Sequence, residues 1–202
     1  WSTGYPDSQI RILPETCRRV AFDDDTLLFL ADFVGPASDI SPRTILQRVI
    51  DKSLAMGLAP YSGFEFEFSV FDEDSASVRA KNYKNWQTIS PGNFGYSMLR
   101  SGTFSEFYQE ILTTCAMMNI EVEALHTEIG PGVLEAAIAY GDTMSSADKA
   151  ALFKTVIKII AARQNKIASF MAKPAIDQQG QSAHMHISLR NFAGDNVFYS
   201  DS

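Results

Sequence analysis

The sequence predicts an α+β fold, an antiparallel sheet with helices on one face. Three observations predict it. Several stretches alternate apolar and polar residues with period two, most cleanly Phe64-Glu65-Phe66-Glu67-Phe68-Ser69-Val70-Phe71, as half-buried strands do. Longer stretches repeat apolar residues at helical spacing. Several strands adjoin one another without a helical crossover, which favours antiparallel pairing. The composition suits a packed domain: 202 residues, 46% hydrophobic and 20% charged, with 14 Phe and 7 Tyr for a core.

Taken in order, residues 10–13 and 26–33 are strand-like runs, punctuated by Pro14 and by Asp23, Asp24 and Asp25. Residues 35–40 form a loop. A helix follows, with Ser41 as its cap, Pro42 in its first turn and Gly57 at its end. Ile45, Leu46, Val49, Ile50 and Leu54 form its apolar stripe. After the strand at 64–71, residues 72–103 are polar and irregular, with Pro91, Gly92 and Gly95. Residues 104–118 read as helix with Ser105 as a cap, and residues 120–125 alternate again. Gly130-Pro131-Gly132 is a turn before a strand at 134–140. Ser145-Ser146-Ala147-Asp148 matches a capping box and opens a long helix through Leu152, Phe153, Val156, Ile157 and Ile160. Lys173-Pro174 begins a loop containing Gly180, and residues 184–189 form one more alternating strand. There is no internal repeat.

The net charge of −7 and a pI of about 4.9 argue against a nucleic-acid or membrane-surface partner, since both need a basic face. An acidic protein still binds a polyanion such as ATP when divalent cations stand between them. No run approaches the ~20 apolar residues of a membrane span. Cys17 and Cys115 are far apart and lack Cys-x-x-Cys spacing. They fit two small core residues of a reduced, cytoplasmic protein, with a single disulfide as the alternative. The first residues, Trp1-Ser2-Thr3-Gly4, have no initiator Met and no signal-peptide shape, and read as a cut end.

The chemistry sits in three places. Alternation puts Glu65 and Glu67 on one strand face and the phenylalanines on the other, with Cα atoms roughly 6.5–7 Å apart. In the stretch 120–128, Glu121 and Glu123 share a face, with His126 and Glu128 just beyond. Glu135 follows seven residues past Glu128, and a tight turn folds the two glutamates back to face each other. In the last strand His184, His186 and Ser188 share a face. A solvated polar face explains any one of these stretches alone. Together they hold all 3 histidines of the chain and most of its strand glutamates. Such carboxylate-rich ligands suit Mg2+ or Mn2+, and a carboxylate cage for hard cations is what phosphoryl transfer needs. No Gly-x-x-x-x-Gly-Lys-Ser/Thr loop is present, so a P-loop enzyme is excluded.

The order and spacing of these stretches resemble the glutamine synthetase family across nearly the whole chain. FEFEFSVF is similar to the family's first glutamate strand, and EVEALHTEIGPGVLE to its Glu-x-Gly-Pro-Gly-Gln-x-Glu hairpin. SFMAKP followed by GQSAHMHISL is similar to its Phe-Met-Pro-Lys-Pro and Gly-Ser-Gly-x-His-x-His-x-Ser-Leu segments. The resemblance implies part of the family's catalytic domain over residues 37–202. Before it, residues 1–36 would be the remnant of a small β-grasp-like N-terminal domain.

Carried over by position, Glu67, Glu128 and Glu135 would hold a metal near a glutamate substrate. Glu65 and His184 would hold one near the ATP phosphates. Glu123, His186 and Ser188 match nucleotide-site positions, Gly180 matches a glycine contacting glutamate, and Tyr96 matches a tyrosine near an ammonium pocket. The implied reaction, part of nitrogen metabolism and glutamine biosynthesis, joins ammonia or an amine to the γ-carboxylate of glutamate through γ-glutamyl phosphate. The implied assembly is a homo-oligomeric ring, with no nucleic acid or membrane partner.

Val133 replaces the Gln of Gly-Pro-Gly-Gln, Gln181 and Ser182 replace the Ser and second Gly of Gly-Ser-Gly, and Ala172 replaces the Pro of Met-Pro-Lys-Pro. Val133 and Ser182 adjoin the expected ligands. They make a larger acceptor amine (a polyamine, ethanolamine or an alkylamine) a competing expectation, with a non-catalytic relative as the third. The family's phosphate-clamping arginines and last metal glutamate fall after the His-x-His strand, so these 202 residues alone are expected to bind metal weakly and not to turn over.

Overall fold

The computed structural model describes residue 4 and residues 7–199. Strands β1 (Ile10–Arg19) and β2 (Leu27–Phe33) form a two-stranded antiparallel sheet. A 3-10 turn at Gly35–Ile40 leads to helix α1 (Pro42–Ala55). Strand β3 (Leu58–Phe71) is followed by short helices α2 (Ser75–Ala80) and α3 (Met98–Thr103), then α4 (Ser105–Met117). Strands β4 (Val122–Thr127) and β5 (Val133–Asp142) form a hairpin before the long helix α5 (Thr143–Arg163). Strands β6 (Ile167–Ser169) and β7 (Ala183–Asn191) complete the order. The second sheet runs β4-β5-β3-β6, with β7 also pairing β3; β4–β5 and β3–β6 are antiparallel. The predicted α+β class is what the structure shows.

Two compact units divide the chain. One holds residues 7–61 with Asp142–Met144 and residues 187–199; the other holds Ser62–Gly141 and Ser145–His186.

In the first unit, β1 runs on past Pro14, where the sequence suggested a break. Pro has no N–H to donate, and the register slips between Leu13 and Arg18. Thr16 repairs the ladder there: its Oγ1 donates to Leu13 O at 2.6 Å and accepts the Leu30 N–H at 2.8 Å. Ser41 caps α1 as expected, accepting the Thr44 N–H at 3.3 Å, and Gly57 ends it at φ +80. The apolar stripe of α1 is not buried: Ile45 is 47% exposed and Val49 59%.

In the second unit, β3 has the predicted two faces. Phe66 and Phe68 point into the core, where Phe66 lies 5.8 Å from Phe153 of α5 and Phe68 lies 5.1 Å from Phe170, ring centre to ring centre. Phe68, Ile111, Ile120, Leu134, Phe153, Ile157 and Ile160 are fully buried. At about 1.5–3 kcal/mol for each large side chain, this layer holds the sheet to its helices and leaves the Glu65–Glu67 face open.

Several boundaries differ from expectation. Helix α5 begins at Thr143, two residues before the expected capping box, and Ser146 and Asp148 are buried inside its first turns. Ser105 is the first residue of α4, whose cap position is Phe104 without a side-chain bond. Helices α2 and α3 lie inside the stretch read as irregular; Asp74 caps α2 by accepting from Ala76 and Ser77, and Ser97 caps α3. Met185 and Ile187 on β7 are about half exposed, at 55% and 52%, so its alternation buries neither face. Both cysteines are free, Cys115 buried and Cys17 exposed rather than in the core. No helix among the described residues is long and apolar enough to cross a membrane.

Candidate active site

The face of β3 opposite the phenylalanines carries Glu65 and Glu67. Two other chain segments meet it, and each is held there by backbone contacts.

The first is the β4–β5 hairpin. Its turn docks on β3 because Val70 donates its N–H to Gly132 O at 2.8 Å. Only glycine fits there: φ is +67, and a Cβ would stand 2.6 Å from Val70 O. The hairpin register puts His126, not Glu128, directly opposite Glu135. Glu128 closes the loop instead: it donates its N–H to Val133 O, with four residues between them. The side chains still converge. His126 Nδ1 is 3.9 Å from Glu128 Oε2, and His126 Nε2 is 4.0 Å from Glu135 Oε1. One ligand atom from each of the three lies within 4.8 Å of the others.

The second segment leads into β7. Glu67 and Ser182 bond reciprocally: the Glu67 N–H donates to Ser182 O at 3.0 Å, and the Ser182 N–H to Glu67 Oε2 at 2.8 Å. His184 Nδ1 and His186 Nε2 then both reach Glu65 Oε2, at 3.2 and 3.1 Å. Gly180 lies in the loop just before, where a Cβ would be 3.1 Å from Ala172 O.

Tyr96 covers the hairpin side. Its ring stacks on His126 at 4.6 Å between centres, its N–H donates to Thr127 O at 2.7 Å, and its backbone is left-handed at φ +55. A hydrogen bond from the phenol to Glu128, and then the charge of Glu128, raise its pKa. Glu123 does not join these groups. It is the extra residue of a bulge between Val122 and Ala124, where alternation breaks, and it is exposed. Ser188 lies two residues beyond His186 on β7.

The electrostatics are those of crowded carboxylates. Burial, and then the charges of Glu65, Glu128 and Glu67, raise the Glu135 pKa against the opposing pull of His126. The hydrogen bond from His186, with a second from His184, lowers that of Glu65 despite its partial burial. Glu128 Oε1 accepts the Ile129 N–H at 2.9 Å, while Oε2 is buried and meets no donor at full hydrogen-bond geometry. Such an oxygen beside like charges fits a cation. The set of carboxylate oxygens and imidazole nitrogens, without thiolates, suits a hard divalent ion. His126 belongs to this set, a ligand role that the sequence did not assign it; the signal for that role is its place two residues before Glu128 on the same face.

Residues 39–202 match the glutamine synthetase catalytic domain. The chain belongs to the glutamine synthetase family. It is 42% identical to type-1 glutamine synthetase 2 of Dictyostelium discoideum over 99% of this chain and 39% of that protein. It is 34% identical to glutamate–isopropylamine ligase of a Pseudomonas species, over 98% of this chain and 44% of that one. The fold matches ligand-free GmaS with a TM-score of 0.86 at 24% identity, covering 100% of this chain and 47% of GmaS. The chain thus spans less than half the length of these relatives.

Within the glutamine synthetase family, this chain's departures have defined places. Val133 is 7% exposed and packs over Gly130, turned in beneath the hairpin turn. Gln181 is buried, with its Nε2 donating to Met171 O at 2.7 Å and its Oε1 accepting from Ser69 Oγ at 3.2 Å, which ties the Gly180 loop to β3. Ser182 alone of the three faces the carboxylates and histidines.

Proposed function

We propose that the protein containing this chain is an ATP-dependent ligase that joins ammonia or a small amine to the γ-carboxylate of glutamate, with Mg2+ or Mn2+ at the carboxylate face. The observation that carries the reading is the meeting of Glu65, Glu67, Glu128 and Glu135 with His126, His184 and His186 on one face of one sheet.

Glu67, Glu128 and Glu135, joined by His126, would hold one cation, and Glu65 with His184 a second. The cations would supply charge neutralisation between an anionic carboxylate and an anionic triphosphate, the main barrier to phosphoryl transfer between them. The chain's own residues do the rest by position. Glu67 is fixed through Ser182 before any ligand arrives, and Gly180 leaves its backbone open to a substrate in the tight loop beside Ala172. His186, beside Glu65, would meet the nucleotide. Tyr96, poised by its stack on His126, would border the amine. γ-Glutamyl phosphate forms, and the amine displaces phosphate to leave an amide, so no enzyme nucleophile is needed.

The relatives include both a glutamine synthetase and an alkylamine ligase, so ammonia and a small alkylamine are the two acceptors to compare. The test is phosphate release from ATP by the full-length protein, with glutamate and a panel of ammonia, isopropylamine, ethanolamine and a polyamine. Release that requires both glutamate and one acceptor, and that falls at least about 100-fold in Glu135→Gln, is expected. ATP turnover independent of glutamate and of every amine contradicts the reading.

A further inference from the structure

We propose that Ser182 is a positioning residue of the carboxylate face: its hydroxyl holds the His184 ring by Nε2 and so aims Nδ1 at Glu65. The proposal rests on the metal-binding reading given above.

Three contacts carry it. The backbone of Ser182 is anchored to Glu67 on both sides, N–H to Oε2 at 2.8 Å and O to the Glu67 N–H at 3.0 Å. Its hydroxyl therefore has a set position, and Oγ stands 3.1 Å from His184 Nε2. The other ring nitrogen, Nδ1, is 3.2 Å from Glu65 Oε2, the same oxygen that meets His186 at 3.1 Å. One residue thus joins Glu67 to His184, and through it to Glu65.

A hydroxyl suits this place because it both donates and accepts, whereas a neutral imidazole carries one N–H and one lone pair. With the ring proton on Nδ1, shared with Glu65, Ser182 donates to Nε2. With Nδ1 offered to a cation, the proton sits on Nε2 and Ser182 accepts it. This is the outer partner that orients a ligating histidine and fixes its tautomer. Glycine in this place would keep both backbone bonds to Glu67 and offer Nε2 nothing. Because Ser182 and His184 are exposed, water competes for the bond, and the expected effect is about threefold to tenfold in cation affinity.

The test uses the protein labelled with 15N-histidine. Tautomers are read from long-range 1H–15N spectra under saturating Mg2+, and Mn2+ affinity from the electron paramagnetic resonance of the free ion. Wild type and Ser182→Thr should show His184 with its proton on Nε2. Ser182→Ala and Ser182→Gly should show mixed tautomers and about threefold to tenfold weaker Mn2+ binding, with backbone amide spectra otherwise preserved. The proposal is overturned if Ser182→Ala and Ser182→Gly match wild type in both readouts while His184→Ala weakens binding. If His184→Ala itself binds Mn2+ as wild type does, the metal reading of this face fails and the proposal with it.

Discussion

His126 sits directly opposite Glu135 across the β4–β5 hairpin, with its ring between the Glu135 and Glu128 carboxylates at 4.0 and 3.9 Å. An imidazole in that place either bridges two carboxylates or shares a cation with them. The buried, donor-poor Glu128 Oε2 favours the cation.

His126→Ala is therefore expected to weaken Mn2+ binding by on the order of tenfold or more, measured by calorimetry. Thermal unfolding without metal should change little, because His126 is not in the core. Unchanged Mn2+ affinity would remove His126 from the site.

Gly132 is where the hairpin touches β3. A side chain there meets the Val70 carbonyl at 2.6 Å and an unfavourable φ of +67. Gly132→Ala should destabilise the fold by more than about 1 kcal/mol in urea titration. It should also weaken metal binding, since Glu128 and Glu135 hang from that turn. Ala at Gly194, which has no neighbour within 4 Å, should not affect metal binding.

Glu73 gives the fold an acid limit remote from the site. The Gln87 backbone N–H, then the Lys81 ammonium and the Ser77 hydroxyl, hold its carboxyl down from 4.5 to about 2. Its contribution to stability is complete above pH 4.5 and is lost as the pH falls toward 2. Wild type should thus lose stability over that interval more steeply than Glu73→Gln in pH-dependent urea melts. Parallel profiles would show that Glu73 does not act in this way.

The two thiols should separate cleanly. Burial pushes the Cys115 thiol up to about 12, whereas Cys17 is exposed on β1. Under native conditions a thiol reagent should label Cys17 alone, and both in denaturant, as read by peptide mass spectrometry. Fast native labelling of Cys115 would contradict the packing of α4.

Much of this was legible in the sequence, and the exceptions have physical reasons. The opposed faces of Glu65–Glu67 and Phe66–Phe68 follow from strand alternation, and the Ser41 cap and Gly57 stop from backbone chemistry. That the turn brings Glu128 and Glu135 together was legible; that His126 is the residue paired with Glu135 was not, because register depends on how many residues the turn holds, and composition does not give that number. Glu123 was set on a regular face because a bulge leaves no mark in a periodic pattern. Helices α2 and α3 and strand β6 were missed because three to six residues are too few to establish a period. The stripe on α1 was read correctly as a pattern, yet the described residues do not cover it. Periodicity reports amphipathicity and leaves the partner unnamed.

The most direct test of the central claim is an anomalous-difference map from crystals of the protein soaked in MnCl2. One peak is expected within ligand distance of Glu128 and Glu135 and a second beside Glu65 and His184. A map with no peak between these side chains, at Mn2+ concentrations that support turnover, would contradict it.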